Sequence, residues 1–404
     1  MEKPVAIIEI TDSCVRLVVG NVVNNKPIII YTTEKPISGL VVRGEIVDFA
    51  NLVSVISSLT SIKDEEAKLI INVTEATVIF PPIGFQIFQT EKTTNVVSPT
   101  SIIEKIDIQN VISLVKKEPV PGRNEIVDII PDSFILEQNR AFSVPPIGQK
   151  SNSITIFPKV HTLPVRVVSS YKEAVENSHI RAKRCLVSPY AISDLIKASE
   201  GTPSNYILVD INAGYSAITT VGNHSPFSSA HFLLGENDLI LAVSSSFGIS
   251  EDKAKDLLAI YGINDRSLNF KPVIATSTMD DGRQRTFTLN DLNSVINRFM
   301  KDYFTQLDAA YYSLLSGSSE KARKLPIIIV GGFDNLYGFE NLAKQHFLEA
   351  SDIILFSTKC IGARDSKYAA TIGALLVSSR YKGSLSDQRA KVSQVGRVNE
   401  NKDK

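Results

Sequence analysis

Two segments of the chain, far apart in sequence, share one pattern: an apolar strand, an acidic residue, a polar turn and a second apolar strand. The first segment spans residues 5–20 and has Glu9 as its acid; the second spans residues 207–222 and has Asp210. Apolar runs on both sides of a short polar turn predict a β-hairpin in each case. Two such hairpins in a chain of 404 residues predict two related domains that close on one phosphate-bearing ligand.

The second hairpin carries the stronger chemical signal. Asp210 ends an apolar strand, so its carboxylate and the N–H groups of the next turn point to one place. Backbone N–H groups donate to phosphate oxygens, and a carboxylate holds hydrated Mg²⁺ through its water ligands. We therefore expect Asp210 to be the catalytic residue and the magnesium-binding residue, Gly214 to allow close backbone approach and Ser216 to donate its hydroxyl. A simple edge hairpin with an Asx turn is the alternative.

The first hairpin would bind the other side of the same phosphates, with Glu9 as its acid. Thr11, Asp12 and Ser13 form its turn, which contains no glycine. Asp12 places negative charge where phosphate would lie, and like charges oppose binding. A turn without a phosphate contact is the alternative here.

A third segment resembles a nucleoside-binding turn. Val330 ends an apolar strand and is followed by Gly331, Gly332 and Phe333. Glycines between a strand and a helix leave bare backbone against which a base or ribose can lie. Strand–Gly-Gly–helix sequences are common, so position after the second acid is what supports this interpretation.

Composition excludes several classes of function. The 43 basic and 43 acidic residues balance, and basic residues are not interleaved with aromatics, so we expect no nucleic-acid binding. The three cysteines and five histidines lack metal-ligand spacing, which indicates a reducing cytoplasm and no structural metal. We expect no signal peptide, and no apolar run reaches the roughly 20 residues that span a bilayer.

The order of these elements resembles that of the actin-like ATPases, and other segments are similar to the bacterial cell-division family FtsA. Those segments are residues 38–48, 120–136 and 144–148. The resemblance implies an α/β, two-lobed actin-like (ribonuclease-H-like) ATPase fold that binds ATP and Mg, with a small α+β insert replacing actin subdomain 1B. The implied parts are a first lobe core at 1–82 with 161–197 and 366–380, the insert at 83–160, a second lobe at 198–365 and a disordered basic tail at 381–404.

The resemblance also implies cofactor-binding positions, at several of which this chain departs from the family. Glu9 and Thr11 replace an aspartate and a glycine. Asn212, Ala213 and Tyr215 replace two glycines and a threonine; Phe333 replaces a third glycine, and Lys255 stands in the helix near the ribose. Each larger side chain fills space that bare backbone would leave for the ligand.

The family resemblance further implies self-association into protofilaments and binding of the C-terminal tail of FtsZ at the cytoplasmic face of the membrane. The FtsZ-binding subdomain would lie at about 239–300, with Arg298 and Lys301 contacting an acidic peptide; a solvated helix face is the alternative for these two. The tail lacks the broad apolar face of a membrane-surface helix, so membrane association would be weak, indirect or supplied by another segment.

Three functions remain open at this point. The first is an adaptor that binds ATP-Mg, polymerises and has slow ATPase activity at most. The second is an actin-like scaffold with a degenerate nucleotide pocket. The third is a small-molecule kinase of the same superfamily.

Overall fold

The computed structural model describes residues 4–64, 69–263, 272–278, 283–316, 320–334, 336–380 and 392–394. Its helices in these ranges are α1 Phe49–Ser57, α2 Lys105–Lys116, α3 Val165–Asn177, α4 Ser188–Ala198, α5 Glu236–Phe247, α6 Glu251–Tyr261, α7 Leu289–Leu315, α8 Glu320–Arg323, α9 Phe339–His346 and α10 Ala369–Arg380.

The strands in the same ranges are β1 Val5–Ile10, β2 Cys14–Val23, β3 Lys26–Pro36, β4 Val41–Val42, β5 Glu45–Ile46, β6 Ser61–Asp64, β7 Leu69–Val73, β8 Glu75–Phe80, β9 Gln86–Gln89, β10 Lys92–Asn95, β11 Asn124–Leu136, β12 Arg140–Phe142, β13 Ser153–Pro164, β14 Arg181–Val187, β15 Tyr206–Ile211, β16 Ser216–Gly222, β17 Ser225–Phe232, β18 Val273–Thr278, β19 Gln284–Thr288, β20 Ile327–Gly331, β21 Ile353–Leu355 and β22 Val392–Gln394.

The two predicted hairpins are the centres of two sheets with the same plan. In the first lobe, β1 pairs antiparallel with β2 and parallel with β8, in the order β14-β8-β1-β2-β3. In the second, β15 pairs antiparallel with β16 and parallel with β20, in the order β21-β20-β15-β16-β17. Every residue of β1 and β15 is buried, because helices cover both faces of each sheet. The two acids therefore end equivalent central strands.

The segment predicted as an insert folds as a sheet of its own. Strands β10, β13, β11 and β12 lie in that order, β9 also pairs with β13, and α2 packs on them. Ile108, Val111 and Val115 of α2 enter its separate core. The apolar spacing in residues 107–117 predicts a helix. The structure has this helix as α2, at 105–116.

The second lobe carries α5, α6, the β18–β19 hairpin and α7 beside its sheet. The sequence of residues 290–315 predicts the longest helix of the chain. The structure has it as α7, whose buried residues recur every three or four positions. These elements lie in the region that the family resemblance assigns to FtsZ binding.

Helices α4 and α10 lie between the two sheets. One core cluster contains Ile7 and Val18 of the first sheet, Leu208 and Ile328 of the second, and the buried faces of both helices. An ideal Cβ on Gly373 of α10 would lie 1.8 Å from the carbonyl oxygen of Ala191 in α4. The two helices therefore touch backbone to backbone, and they form the layer that the lobes share.

The tail predicted to be disordered, residues 381–404, lies outside the described residues except for β22, which pairs antiparallel with β7. Among the described residues, no helix is long and apolar enough to cross a membrane.

Candidate functional site

A cleft of about 330 Å³ opens where β1, β15 and β20 end, between the two lobes. Eight of the predicted site residues line it: Glu9, Thr11, Ser13, Asp210, Asn212, Ala213, Gly331 and Gly332. The fold brings these residues together because the carboxyl ends of equivalent strands from the two sheets face each other.

The Arg16 side chain, which the sequence reasoning missed, dominates the floor of the cleft. It rises from β2, is 4% exposed, and pairs with the Glu9 carboxylate through Nη1. Its Nε donates to Glu34 Oε1 at 3.0 Å, and Nη1 donates to the Lys367 carbonyl at 2.7 Å. The guanidinium also lies 4.9 Å from the centre of the Tyr368 ring. Its Nε and Nη1 donors are thus engaged by the protein itself.

The pKa values of the two carboxyl groups that pair with Arg16 shift in opposite directions. Burial raises the pKa of Glu9, although the charge of Arg16 opposes that shift. Burial also acts against ionisation of Glu34, but Arg16 and Lys367 outweigh it and lower the Glu34 pKa. Glu9, Arg16, Glu34 and Lys367 thus form one continuous ion network along the cleft.

Asp210 lies on the opposite wall and is 6% exposed. The Ser188 hydroxyl, at the start of α4, donates to Asp210 Oδ2 at 3.0 Å. Burial, with a smaller contribution from the negative charge of Glu9, raises the Asp210 pKa to about 7. A nearby cation would be needed to keep this carboxylate fully ionised at neutral pH.

Asp12 does not line the cleft; it lies beside it, where the two hairpins meet. Its carboxylate accepts hydrogen bonds from the Gly44 N–H at 2.8 Å and from the Arg43 N–H. Gly214, the glycine predicted to approach phosphate, approaches Asp12 instead. A Cβ on Gly214 would lie 2.0 Å from Asp12 Oδ2.

Other residues of the second hairpin support the lobe. The Ser216 hydroxyl donates to the Leu234 carbonyl at 2.8 Å and lies 2.9 Å from the Tyr303 hydroxyl oxygen. Tyr215 is 3% exposed, and burial together with the Asp210 charge raises its pKa. The structure places both side chains inside the protein rather than along the cleft.

A side cavity of about 100 Å³ adjoins the cleft, and Lys255, Glu236 and Phe333 line it. Phe333 is 1% exposed, with its ring centre 5.2 Å from those of Tyr303 and Phe339, so it belongs to the core of the second lobe. Burial and the negative charge of Asp334 raise the Glu236 pKa to about 7, while Lys255 opposes the shift.

Close packing explains why residues 331 and 332 are both glycine. Gly331 has a φ of +87°, and a Cβ there would lie 2.2 Å from the Ile211 carbonyl oxygen. At Gly332 a Cβ would lie 2.8 Å from Ile211 Cγ2. Both glycines therefore let β20 turn tightly around the end of β15, and they leave bare backbone in the cleft wall.

Charge decides which ligands the cleft can hold as it stands. Among the described residues, the walls carry four carboxyl groups, of Glu9, Glu34, Asp210 and Glu236, and two cations, of Arg16 and Lys367. The Arg16 guanidinium is already paired with Glu9 and Glu34. The triphosphate of ATP would therefore have to compete with these two carboxylates for Arg16. Within the described ranges no group of three or more His, Cys, Asp or Glu side chains is arranged to hold a metal ion.

Arg298 and Lys301 lie apart from the cleft, on the exposed side of α7 in the second lobe. They are close enough in sequence to share one helix face, as residues three apart do.

Arg16, Glu34, Ser188, Glu236 and Lys367 complete the site, and the sequence reasoning did not include them. Arg16 had a signal, since it is the one charged residue within the apolar run 14–20. The others come from distant segments that only the tertiary fold brings to the cleft.

Comparison with solved structures identifies the class of fold. The PilM–PilN type IV pilus biogenesis complex matches 93% of this chain and 98% of the matched chain, with a TM-score of 0.59 and 14% identity. MreB5 of Spiroplasma citri bound to AMPPNP matches 95% and 98%, with a TM-score of 0.52 and 10% identity. The chain has the actin-like ATPase fold, as predicted.

Sequence comparison then points to one family of that class. Cell division protein FtsA of Streptococcus pneumoniae is 22% identical over 348 residues, which cover 85% of this chain and 72% of that protein. FtsA of Enterococcus hirae is 22% identical over 401 residues, covering 96% and 86%. These similarities confirm the resemblance to FtsA, although no family model matches the chain.

Proposed function

We propose that the protein is an FtsA-type cell-division adaptor, which self-associates and links FtsZ filaments to the cytoplasmic face of the membrane. The observation that carries this proposal is the extent of the FtsA similarity. It spans up to 96% of the chain, so it includes the two lobes and the insert that folds as a separate sheet.

In this proposal the protein binds nucleotide only after a change in the site. The fold is one in which MreB5 of Spiroplasma citri binds AMPPNP. In this chain, Glu9 and Glu34 occupy Arg16, and Asp12 occupies the junction of the hairpins. We infer that ATP-Mg binds only after these contacts open, and that turnover is slow or absent. Scaffolding, rather than hydrolysis, would be the main role.

The partner contact can be tested by co-sedimentation with FtsZ filaments. We expect the protein to pellet with full-length FtsZ and to stay in solution with FtsZ that lacks its C-terminal tail. Charge reversal of Arg298 and Lys301 to Glu should reduce pelleting, because it removes two cations from a surface that would meet an acidic peptide.

The matched control reverses Lys116 and Lys117, two exposed lysines on and just after α2 of the insert. It changes the net charge equally and should leave pelleting intact. Equal pelleting with tailed and tailless FtsZ would reject the adaptor function. An equal effect of the two charge reversals would reject the α7 contact alone.

A further inference from the structure

The backbone of the turn between β4 and β5 has the geometry of an anion-binding site. Arg43 and Gly44 are its two central residues, with φ values of +52° and +73°. Two consecutive positive φ values are the signature of a tight two-residue hairpin turn, and successive N–H groups in such turns form concave anion sites. The Tyr171 hydroxyl donates to the Gly44 carbonyl at 3.1 Å and holds the turn in place.

This concavity already holds an anion, the Asp12 carboxylate. The two N–H groups of the turn donate to its two oxygens, one to each. Asp12 is 7% exposed and Gly44 is buried, so the contact lies out of bulk water. Burial raises the Asp12 pKa although both N–H donors oppose the shift. The carboxylate is therefore held there against a desolvation cost.

The second hairpin converges on the same point. A Cβ on Gly214 would lie 2.0 Å from Asp12 Oδ2 and 3.3 Å from the Arg43 nitrogen. The Arg43 guanidinium lies 3.8 Å from Asp238 at the start of α5, which gives a second contact between the lobes. One carboxylate of the first lobe thus fills the space between a backbone anion site and the tip of the opposite hairpin.

We propose that the N–H groups of Arg43 and Gly44 form a phosphate site beside the cleft, where the two hairpins meet, and that Asp12 occupies it and keeps the hairpins closed against phosphate-bearing ligands. This inference rests on the proposed function for the nature of the ligand, but not on FtsZ binding. Asp12 is the residue that decides whether phosphate enters. Without its carboxylate, the part-buried N–H of Arg43 and the buried N–H of Gly44 would lack an acceptor, which makes them receptive to an external anion.

The test replaces Asp12 by Ser, which removes the charge and leaves room, and by Asn, which keeps the shape. Inorganic phosphate and ATP-Mg are titrated at concentrations up to about 1 mM, and binding is measured from the rise in melting temperature. We expect D12S to bind inorganic phosphate at least about tenfold more tightly than the unaltered protein, with D12N between them. Both variants should melt lower than the unaltered protein before ligand is added.

Two further variants separate this role from general loosening. E45Q removes the neighbouring acid, whose carboxylate instead pairs with Arg166 at 2.6 Å, and should bind phosphate as the unaltered protein does. G214A pushes the second hairpin away but leaves Asp12 in place, so it should melt lower without gaining phosphate affinity.

Equal phosphate affinity of D12S, D12N and the unaltered protein would overturn the inference, whether all bind or none does. If G214A gained as much phosphate affinity as D12N, the inference would also be overturned, because separation of the two hairpins alone would then explain phosphate binding. If D12S fails to fold, D12N and G214A still decide the matter. FtsZ co-sedimentation of the same proteins tests the proposed function separately, since the inference can fail while pelleting persists.

Discussion

Replacing Gly373 by Ala tests the contact between α4 and α10 that joins the lobes. The new Cβ would lie 1.8 Å from the Ala191 carbonyl oxygen, 2.4 Å from its carbonyl carbon and 3.3 Å from its Cα. All three are backbone atoms, so no side-chain rotation can relieve the clash. Real Cβ contacts essentially never fall below 3.0 Å, so the helices would have to separate by more than an ångström.

The magnitude follows from two opposing effects. Overpacking of a close-packed interior costs about 1–3 kcal/mol, and a clash with rigid backbone belongs at the upper end. Alanine in place of glycine within a helix gains roughly 1 kcal/mol. We therefore expect a net loss of about 2 kcal/mol in the free energy of unfolding, with the buried residues of α10 losing contacts to α4.

The assay is denaturant unfolding followed by circular dichroism, with G222A as the matched control. At Gly222 the nearest atom to a new Cβ is 3.8 Å away and φ is not in the left-handed region, so its unfolding midpoint should hardly move. If G373A unfolds at the same denaturant concentration as G222A, or at a higher one, the helices are not in backbone contact and the reasoning is wrong.

Three other predictions concern buried polar groups. Burial raises the Asp210 pKa from 3.8 to about 7, so the free energy of unfolding falls as pH rises from about 4 to 7 and the buried carboxyl ionises. D210N should remove that decline and be up to about 4 kcal/mol more stable than the unaltered protein at pH 8. The measurement is denaturant unfolding across this pH range without magnesium. R16Q should lose about 3–5 kcal/mol by leaving the Glu9 charge unpaired, and E9Q/R16Q should recover much of it; an additive double mutant would contradict the buried pair. S216A should lose about 1–2 kcal/mol because the Tyr303 hydroxyl and a backbone carbonyl lose their partner, whereas an unchanged midpoint would place Ser216 elsewhere.

Local sequence was sufficient to predict the central hairpins, the helix α2 and the long helix α7. Each has a clear apolar pattern. Apolar residues are continuous in the buried strands β1 and β15, and they recur every three to four residues in the helices α2 and α7. The local pattern did not give the pairing of those strands with β8 and β20, because parallel partners are distant in sequence.

The roles of individual side chains were harder to predict. Ser216, Tyr215 and Phe333 follow the expected motif positions, yet the structure places them in the interior of the second lobe. A sequence motif specifies where a residue lies along the backbone. It does not specify which way a side chain turns, since that depends on the elements packed against it.

The sequence by itself determined that two hairpins, each ending its first strand in an acid, would form two related sheets, because the hydrophobic pattern is local and strong. It also showed that the first turn is unusual, because it has Asp12 and no glycine. Only the tertiary structure decided what that aspartate does: its partners, Arg43, Gly44 and Gly214, lie about thirty and two hundred residues away along the chain. Their meeting depends on how the lobes close, and a local pattern contains no information on that.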